Sequence, residues 1–145
     1  MASGDLVVFD EAKALMIDGG WEAADDIKCA ICDNTVTPTA ATATPALTDF
    51  TQVTAAGTYT TGGTSLGNLG TVVTEAAGTM TFDSTTNPTW AADASNDVDA
   101  YWAIVYNDTD ASDSAIAFVD LGGPRDMVAG SLTVTWNASG LFTIA

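Results

Sequence analysis

The sequence predicts an all-β fold, a β-sandwich or barrel of jelly-roll type, with one short N-terminal helix. Short apolar or alternating segments follow one another along most of the chain, separated by turn residues about every 8–12 positions, as in sandwiches and barrels. Threonine, a β-branched residue that favours strands, is the dominant polar residue. The 145 residues, 47% of them hydrophobic, are enough for one domain with a packed core.

The N-terminal helix is predicted over Leu6–Asp18. Its apolar residues recur at helical spacing and are Phe9, Ala12, Leu15 and Met16. Acidic residues suit its first turn, and Gly19-Gly20 suits a C-terminal stop. We therefore expect residues 1–20 to form an N-terminal arm and helix, and residues 21–145 to form the β-sandwich domain. The apolar face of the helix either anchors the protein on a partner or caps one end of the sandwich.

The first strand, Ile27–Cys32, contains both cysteines. A zinc site would need two further Cys or His ligands, which this sequence does not contain. Residues three apart in an extended strand point to opposite faces and lie roughly 10 Å apart, whereas a disulfide needs Cα atoms within about 7 Å. Cys29 and Cys32 are therefore predicted to be reduced thiols with a structural role.

The next segment, Thr35–Pro45, is rich in Thr, Ala and Pro. This composition favours an extended arm over a ladder strand, and we expect such an arm over residues 35–46, placed to reach a neighbouring subunit. Residues 48–53 are predicted to be ordered, with Phe50 and Val53 turned inward. A turn-rich region around Tyr59 follows.

The second half of the chain supplies most of the predicted strands. Gly70–Glu75 and Thr79–Asp83 are predicted to form a hairpin, and Trp90 to lie in an edge strand. The central strand is predicted at Ala100–Asn107, because this segment is almost wholly apolar and aromatic. The remaining predicted elements are the paired strand Ala115–Leu121, a turn at Gly122–Pro124, and the strands Ser131–Trp136 and Leu141–Ile144.

The charge of the chain excludes several classes of function. There are 19 acidic residues against 3 basic ones, for a net charge of -16, and there is no histidine. A nucleic-acid binder needs clustered Lys and Arg, and an anionic membrane surface would repel this chain. Catalytic sites built on histidine are impossible. No secretory signal or membrane span is recognisable, so we expect the chain to be made and folded in a cytoplasm. We also expect no cofactor.

Two acidic clusters allow two alternative functions, a calcium site and a hydrolase site. Asp108–Asp113 resembles the start of a calcium loop, but it lacks the usual glycine and closing glutamate, which favours a solvated hairpin loop. Asp97 and Asp99 are candidate carboxylates for a hydrolase, although nothing in the sequence marks the apolar pocket that such chemistry needs.

Several segments resemble a family of small virion structural proteins of tailed bacteriophages. The segments that carry the resemblance are Gly57–Leu69, Tyr101–Thr109, Ala117–Gly122 and Leu132–Ile144. The resemblance implies a non-enzymatic capsid decoration, or cement, protein that binds the major capsid protein on the outer capsid surface as a homotrimer. The residues expected to contact that partner are Phe9, Leu15, Met16, Thr37, Pro38 and Pro45. The alternative is a head-fibre or tail-associated module that binds carbohydrate or host through exposed aromatic residues. The candidates for such a face are Trp90, Tyr101, Trp102, Tyr106 and Trp136.

Overall fold

The computed structural model describes residues 4–18, 20–84 and 86–144, apart from the side chains of Met16 and Ile17. The strands are β1 (Leu6–Val8), β2 (Asp26–Cys32), β3 (Thr64–Asn68), β4 (Val73–Ala76), β5 (Thr79–Phe82), β6 (Thr89–Trp90), β7 (Ala100–Asn107), β8 (Ala115–Arg125), β9 (Leu132–Thr133) and β10 (Phe142–Ile144). The helices are α1 (Asp10–Asp18) and the single turn α2 (Leu69–Val72), with a 3-10 turn at Leu47–Asp49. The prediction of an all-β fold with a short N-terminal helix is confirmed.

The main sheet has five strands in the order β1-β8-β7-β2-β3, and its neighbouring strands are antiparallel. The middle strands β7 and β2 are buried on both faces, with Ile31, Ile104 and Val105 fully buried. The predicted central strand therefore has the bounds that its apolar composition indicated. Two smaller sheets, β10-β5-β4 and β6-β9, complete the architecture.

The N-terminal segment differs from the prediction. Residues 6–8 form the edge strand β1 instead of the first turn of a helix, with Leu6 opposite Val119 and Val8 opposite Ala117. The helix begins only at Asp10. Residues 6–8 include two β-branched valines, which favour a strand over the first turn of a helix. Pairing with β8 supplies their backbone hydrogen bonds, so the neighbouring strand decides the local structure.

The predicted turn at Gly122–Pro124 is also wrong, because β8 continues through it to Arg125. Between the pairs Trp102–Asp120 and Ala100–Arg125, two steps along β7 correspond to five along β8. The additional residues form a bulge, which Gly122 and Gly123 permit with φ angles of 82° and 104°. Arg125 Nε donates to the Leu121 carbonyl across the bulge at 2.6 Å.

The predicted hairpin is confirmed as β4 and β5, joined by Ala77 and Gly78 with φ angles of 52° and 83°. Residues 70–72 belong to α2 instead of the first hairpin strand. Of the predicted strand at residues 131–136, only β9 is paired in a ladder, although the Val134 amide also donates to the Pro88 carbonyl at 3.0 Å. The predicted last strand is present as β10.

Candidate functional surfaces

The N-terminal helix and Phe9, the residue that precedes it, cap the core. The Phe9 ring lies with its centroid 5.0 Å from that of Phe118 and 6.0 Å from that of Phe50, and both Phe9 and Ala12 are fully buried. Of the two roles that the sequence left open for this apolar face, the structure therefore supports the cap. Leu15 is half-buried, and the Met16 side chain lies outside the described residues.

The Thr/Pro-rich arm folds along the body of the chain. Pro38 and Pro45 are buried, and only Thr37 of the three predicted arm contacts is exposed. The Pro45 carbonyl accepts from the Ala115 amide at 2.8 Å, and the Ala40 carbonyl accepts from the Asp10 amide at 2.9 Å. The buried prolines therefore pack within the fold and are not presented to a partner.

Leu15 and Pro45 come together in the structure, because both line a cavity of about 290 Å³ between α1, the arm and the loop before β8. Of the predicted contact residues, Thr37 and Leu15 keep exposed surface. Contact of these two residues with a capsid stays a prediction.

Both thiols lie inside the main sheet. Cys29 and Cys32 are free and at most 1% exposed. Burial raises the pKa of the Cys29 thiol strongly, and burial together with the nearby Asp33 raises the pKa of Cys32 to about 12. The Tyr59 hydroxyl bonds to the backbone of Ile31 between them. Thiols that stay protonated in a buried core are unreactive and contribute to packing. The structural role predicted for Cys29 and Cys32 fits this environment.

We expect the two thiols to resist alkylation in the native protein. Iodoacetamide at pH 8 should label neither Cys29 nor Cys32 within an hour, whereas both should react completely in denaturant, since unfolding restores ordinary thiol pKa values. The measurement is the intact mass after each reaction. A native mass that is two hydrogens short, or rapid labelling without denaturant, would contradict this assignment.

The acidic loop between β7 and β8 is tied to the rest of the chain. Asp108 pairs with Lys28 at 2.7 Å and accepts from the Tyr106 hydroxyl at 3.0 Å. Asp110 bonds to the Ser114 hydroxyl. Burial, and then the neighbouring carboxylates Asp108 and Asp110, raise the pKa of Asp113. Among the described residues no group of three or more His, Cys, Asp or Glu side chains is arranged to hold a metal ion.

The candidate hydrolase carboxylate Asp97 has a structural role. Its Oδ2 accepts from the Thr54 amide at 2.9 Å, and its Oδ1 accepts from the amides of Val98 and Asp99 at 2.8 and 3.2 Å. The Thr54 bond is the main cause that lowers the pKa of Asp97. The carboxylate thus fastens the loop before β7 to residues 51–54.

The aromatic residues that the sequence offered as a sugar-binding face are mostly internal. Trp90, Trp102 and Tyr106 are buried, at 3%, 7% and 1% exposure. Tyr101 and Trp136 keep part of their surface exposed. The alternating strands place most of these rings in the core.

One end of the main sheet carries three exposed apolar side chains. Among the described residues the exposed large hydrophobic side chains are Val36, Val98 and Val128, at 40%, 46% and 36% exposure. Their loops meet where β2 ends and β7 begins: the Trp102 indole donates to Asn34 at 3.1 Å, and the Met127 amide donates to the Asp97 carbonyl at 3.0 Å. We call these three residues the valine surface.

The valine surface is flanked by carboxylates and held by one buried amide. The acidic residues on the same loops are Asp33, Asp93, Asp97, Asp99 and Asp126, and Arg125 is the basic one. The Asn96 amide nitrogen donates to the carbonyls of Ala91 and Met127 at 2.9 and 3.1 Å. Asn96 therefore joins the loop that carries Val98 to the loop that carries Val128.

A groove of about 530 Å³ lies between β1 and the segment 133–137. Its walls include Leu6, Val119, Val134, Thr135 and Phe142. An adjoining cleft of about 370 Å³ shares Gly4 and three of the same wall residues, Val119, Val134 and Thr135, and continues along β8 to Arg125. No sequence signal marks this groove, because its walls come from segments that are far apart in the chain.

Comparison with known proteins adds no relative: no family model, no curated protein and no solved structure matches this chain. Within the described parts of the chain, no helix is long and apolar enough to cross a membrane.

Proposed function

We propose that this chain is a non-enzymatic structural protein of a tailed-phage virion that binds the outer capsid surface and stabilises the head. The observation that carries the proposal is the valine surface, three exposed valines on carboxylate-bearing loops that meet at one end of the main sheet. Together with the strand and turn segments that resemble virion structural proteins, this patch favours a protein that acts by adhesion.

The chemistry of the patch indicates what its partner presents. Burial of apolar area contributes roughly 25 cal/mol per Å² before the costs of association, and exposed charge pairs contribute about 0–1 kcal/mol each. A partner that offers small apolar side chains surrounded by Lys or Arg would complement Val98, Val128 and the flanking carboxylates. The proposed partner with this role is the major capsid protein.

The proposed mechanism is mechanical. A protein that buries surface against two or more neighbouring capsid subunits raises the free energy needed to separate them. Several copies bound through one assembly would raise the effective concentration of each contact, which is the reason to propose a homotrimer. The net charge of -16 also keeps the protein away from the packaged nucleic acid.

Introducing a charge into the valine surface should weaken capsid binding. We expect Val98→Asp to lower the affinity for capsids of the parent phage by about tenfold, because it removes apolar contact and adds a carboxylate that must be desolvated. Ala111→Asp adds the same charge to the exposed loop between β7 and β8, so its affinity should stay within about twofold of the parent value.

The measurement is co-sedimentation of each purified variant with capsids that lack the protein, after thermal melts show that both variants fold. Antibody-labelled electron micrographs of intact virions locate the protein independently. Label over the tail, or equal capsid binding by both variants, would contradict the proposed position or the proposed surface, respectively.

A further inference from the structure

The groove between β1 and residues 133–137 has unpaired backbone on one wall. The Val134 amide bonds to the Pro88 carbonyl, so Val134 faces β6 and its neighbours Thr133 and Thr135 direct their backbone groups the other way. Within the described parts of the chain, the Thr135 amide and carbonyl groups have no hydrogen-bond partner. Thr135 also lines the groove.

The opposite wall is the outer edge of β1, with which no other described strand of the main sheet pairs. The Phe9 amide donates to the Ile116 carbonyl at 3.0 Å, which sets the alternation along β1 and directs the backbone groups of Leu6 away from β8. Leu6 lines the same groove. Two strand edges with unused donors and acceptors therefore border one opening, and an exposed edge of this kind is a template for a further strand.

The groove also offers places for alternate side chains. Val119 and Val134 are 6% and 5% exposed, and Leu141 and Phe142 contribute half-buried apolar surface. Asn137 and Ser139 add polar groups to the lining. A strand directs successive side chains to opposite faces, so one face of an added strand would meet this apolar surface and the other would stay in solvent.

The net charge of the chain indicates which kind of segment the groove would bind. Against 19 acidic residues the chain has 3 basic ones, of which Lys13 and Lys28 are already paired with Asp10 and Asp108. The third, Arg125, lines the adjoining cleft and donates to the Leu121 carbonyl. A second copy of this chain would bring the same negative charge to the groove. A segment with Lys or Arg on its solvent face is complementary to it.

We propose that this groove binds an extended Lys- or Arg-bearing segment of a partner protein by strand addition, with main-chain hydrogen bonds to Thr135 and Leu6. That the partner is the capsid protein rests on the proposed function. The strand-addition site itself rests on the two backbone edges and on the charge.

The probe is a fluorescent hexapeptide, Lys-Val-Lys-Val-Lys-Val, measured by anisotropy with the full-length protein. We expect Thr135→Pro to weaken its binding by about tenfold, because proline removes the amide donor, and Thr135→Ser to change binding by less than about twofold. The Thr135 amide has no partner within the described fold, so proline there removes no hydrogen bond of the fold. Matching thermal melts check this.

Two further peptides separate strand addition from charge attraction. The same peptide with N-methylated backbone amides keeps its charge but cannot form a ladder, and it should bind no better than the peptide Glu-Val-Glu-Val-Glu-Val. Equal binding of the methylated and unmethylated peptides, equal binding by Thr135→Pro and Thr135→Ser, or binding of the acidic peptide alone would each overturn the proposal.

Capsid experiments distinguish this inference from the proposed function. If Thr135→Pro binds capsids as well as Thr135→Ser does, the groove is not used on the capsid, while the proposed function stands. If the hexapeptide binds as expected but the protein does not bind capsids, the strand-addition site stands and the proposed function fails.

Discussion

Gly63→Ala is expected to prevent folding. Gly63 lies in the turn before β3 with φ of 72°, and a Cβ at this position would overlap the Cys29 carbonyl oxygen and lie 2.7 Å from the Ala30 Cα. Both obstacles are backbone atoms of β2, which pairs with β7 at the centre of the main sheet. Relieving the overlap requires the sheet to move, so we expect a loss of more than about 4 kcal/mol.

Gly78→Ala is the matched control for this clash. Gly78 also has a positive φ, of 83°, but a Cβ there would meet no atom within 4 Å. Its cost is only the left-handed strain of alanine, about 1–2 kcal/mol. Soluble yield and urea melts compare the two variants. A Gly63→Ala protein as stable as Gly78→Ala would show that the turn can separate from β2 without loss.

Asn96→Asp is expected to destabilise the protein by about 3–5 kcal/mol at pH 7, the cost of an uncompensated buried charge. Asn96 is 6% exposed, and its amide nitrogen donates to the carbonyls of Ala91 and Met127. A carboxylate has the same shape but would place one negative oxygen, in the position of the amide nitrogen, against both acceptors. The loops that carry Val98 and Val128 would then separate, so capsid binding should fall together with stability.

The pH dependence identifies the cause. Burial and the carbonyl oxygens disfavour the charged form, so the folded-state pKa of the new carboxyl is raised above its unfolded value of about 3.9. The charge penalty is therefore absent below about pH 4 and grows as the pH rises toward the folded-state pKa, whereas the loss of one amide donor remains at every pH. Relative to the parent protein, Asn96→Asp should recover stability on acidification.

Asn137→Asp is the control for added charge. Asn137 is exposed, and its Oδ1 accepts from the Ser139 amide at 2.9 Å, a bond that a carboxylate keeps. We expect its stability to lie within about 0.5 kcal/mol of the parent protein across the same pH range. Urea melts of all three proteins at pH 4, 5.5 and 7 give the comparison. A penalty at Asn96→Asp that does not change with pH would point to lost packing instead of buried charge.

Local patterns in the sequence were enough to predict the centre of the fold. Buried strands are indicated by the apolar run at residues 100–107 and by the alternation at residues 27–32. The Ala77-Gly78 turn supplies the left-handed φ angles that a tight hairpin needs. Burial of both cysteines also follows from the strand that carries them. These features depend on each segment's own composition, which the sequence displays directly.

The surfaces that a partner would meet were decided by tertiary structure. The sequence placed contacts on the helix and the Thr/Pro-rich arm, but Phe9, Pro38 and Pro45 pack inside the fold. An apolar side chain looks the same in sequence whether the same chain or a different one covers it. Contacts such as the Phe9–Phe118 ring pair join segments far apart in the chain, and no local pattern records them.

The fold class, the central strands, the structural thiols and the one-signed charge could all be predicted before folding was considered, because composition and short-range periodicity express them. Three other features arise from contacts between distant segments: residues 6–8 form a strand, β8 passes through Gly122–Pro124 as a bulge, and a groove opens beside Thr135. Each of these depends on which distant segment supplies or withholds backbone hydrogen bonds. A backbone edge carries no side-chain signature, so its pairing becomes visible only when the whole sheet is assembled.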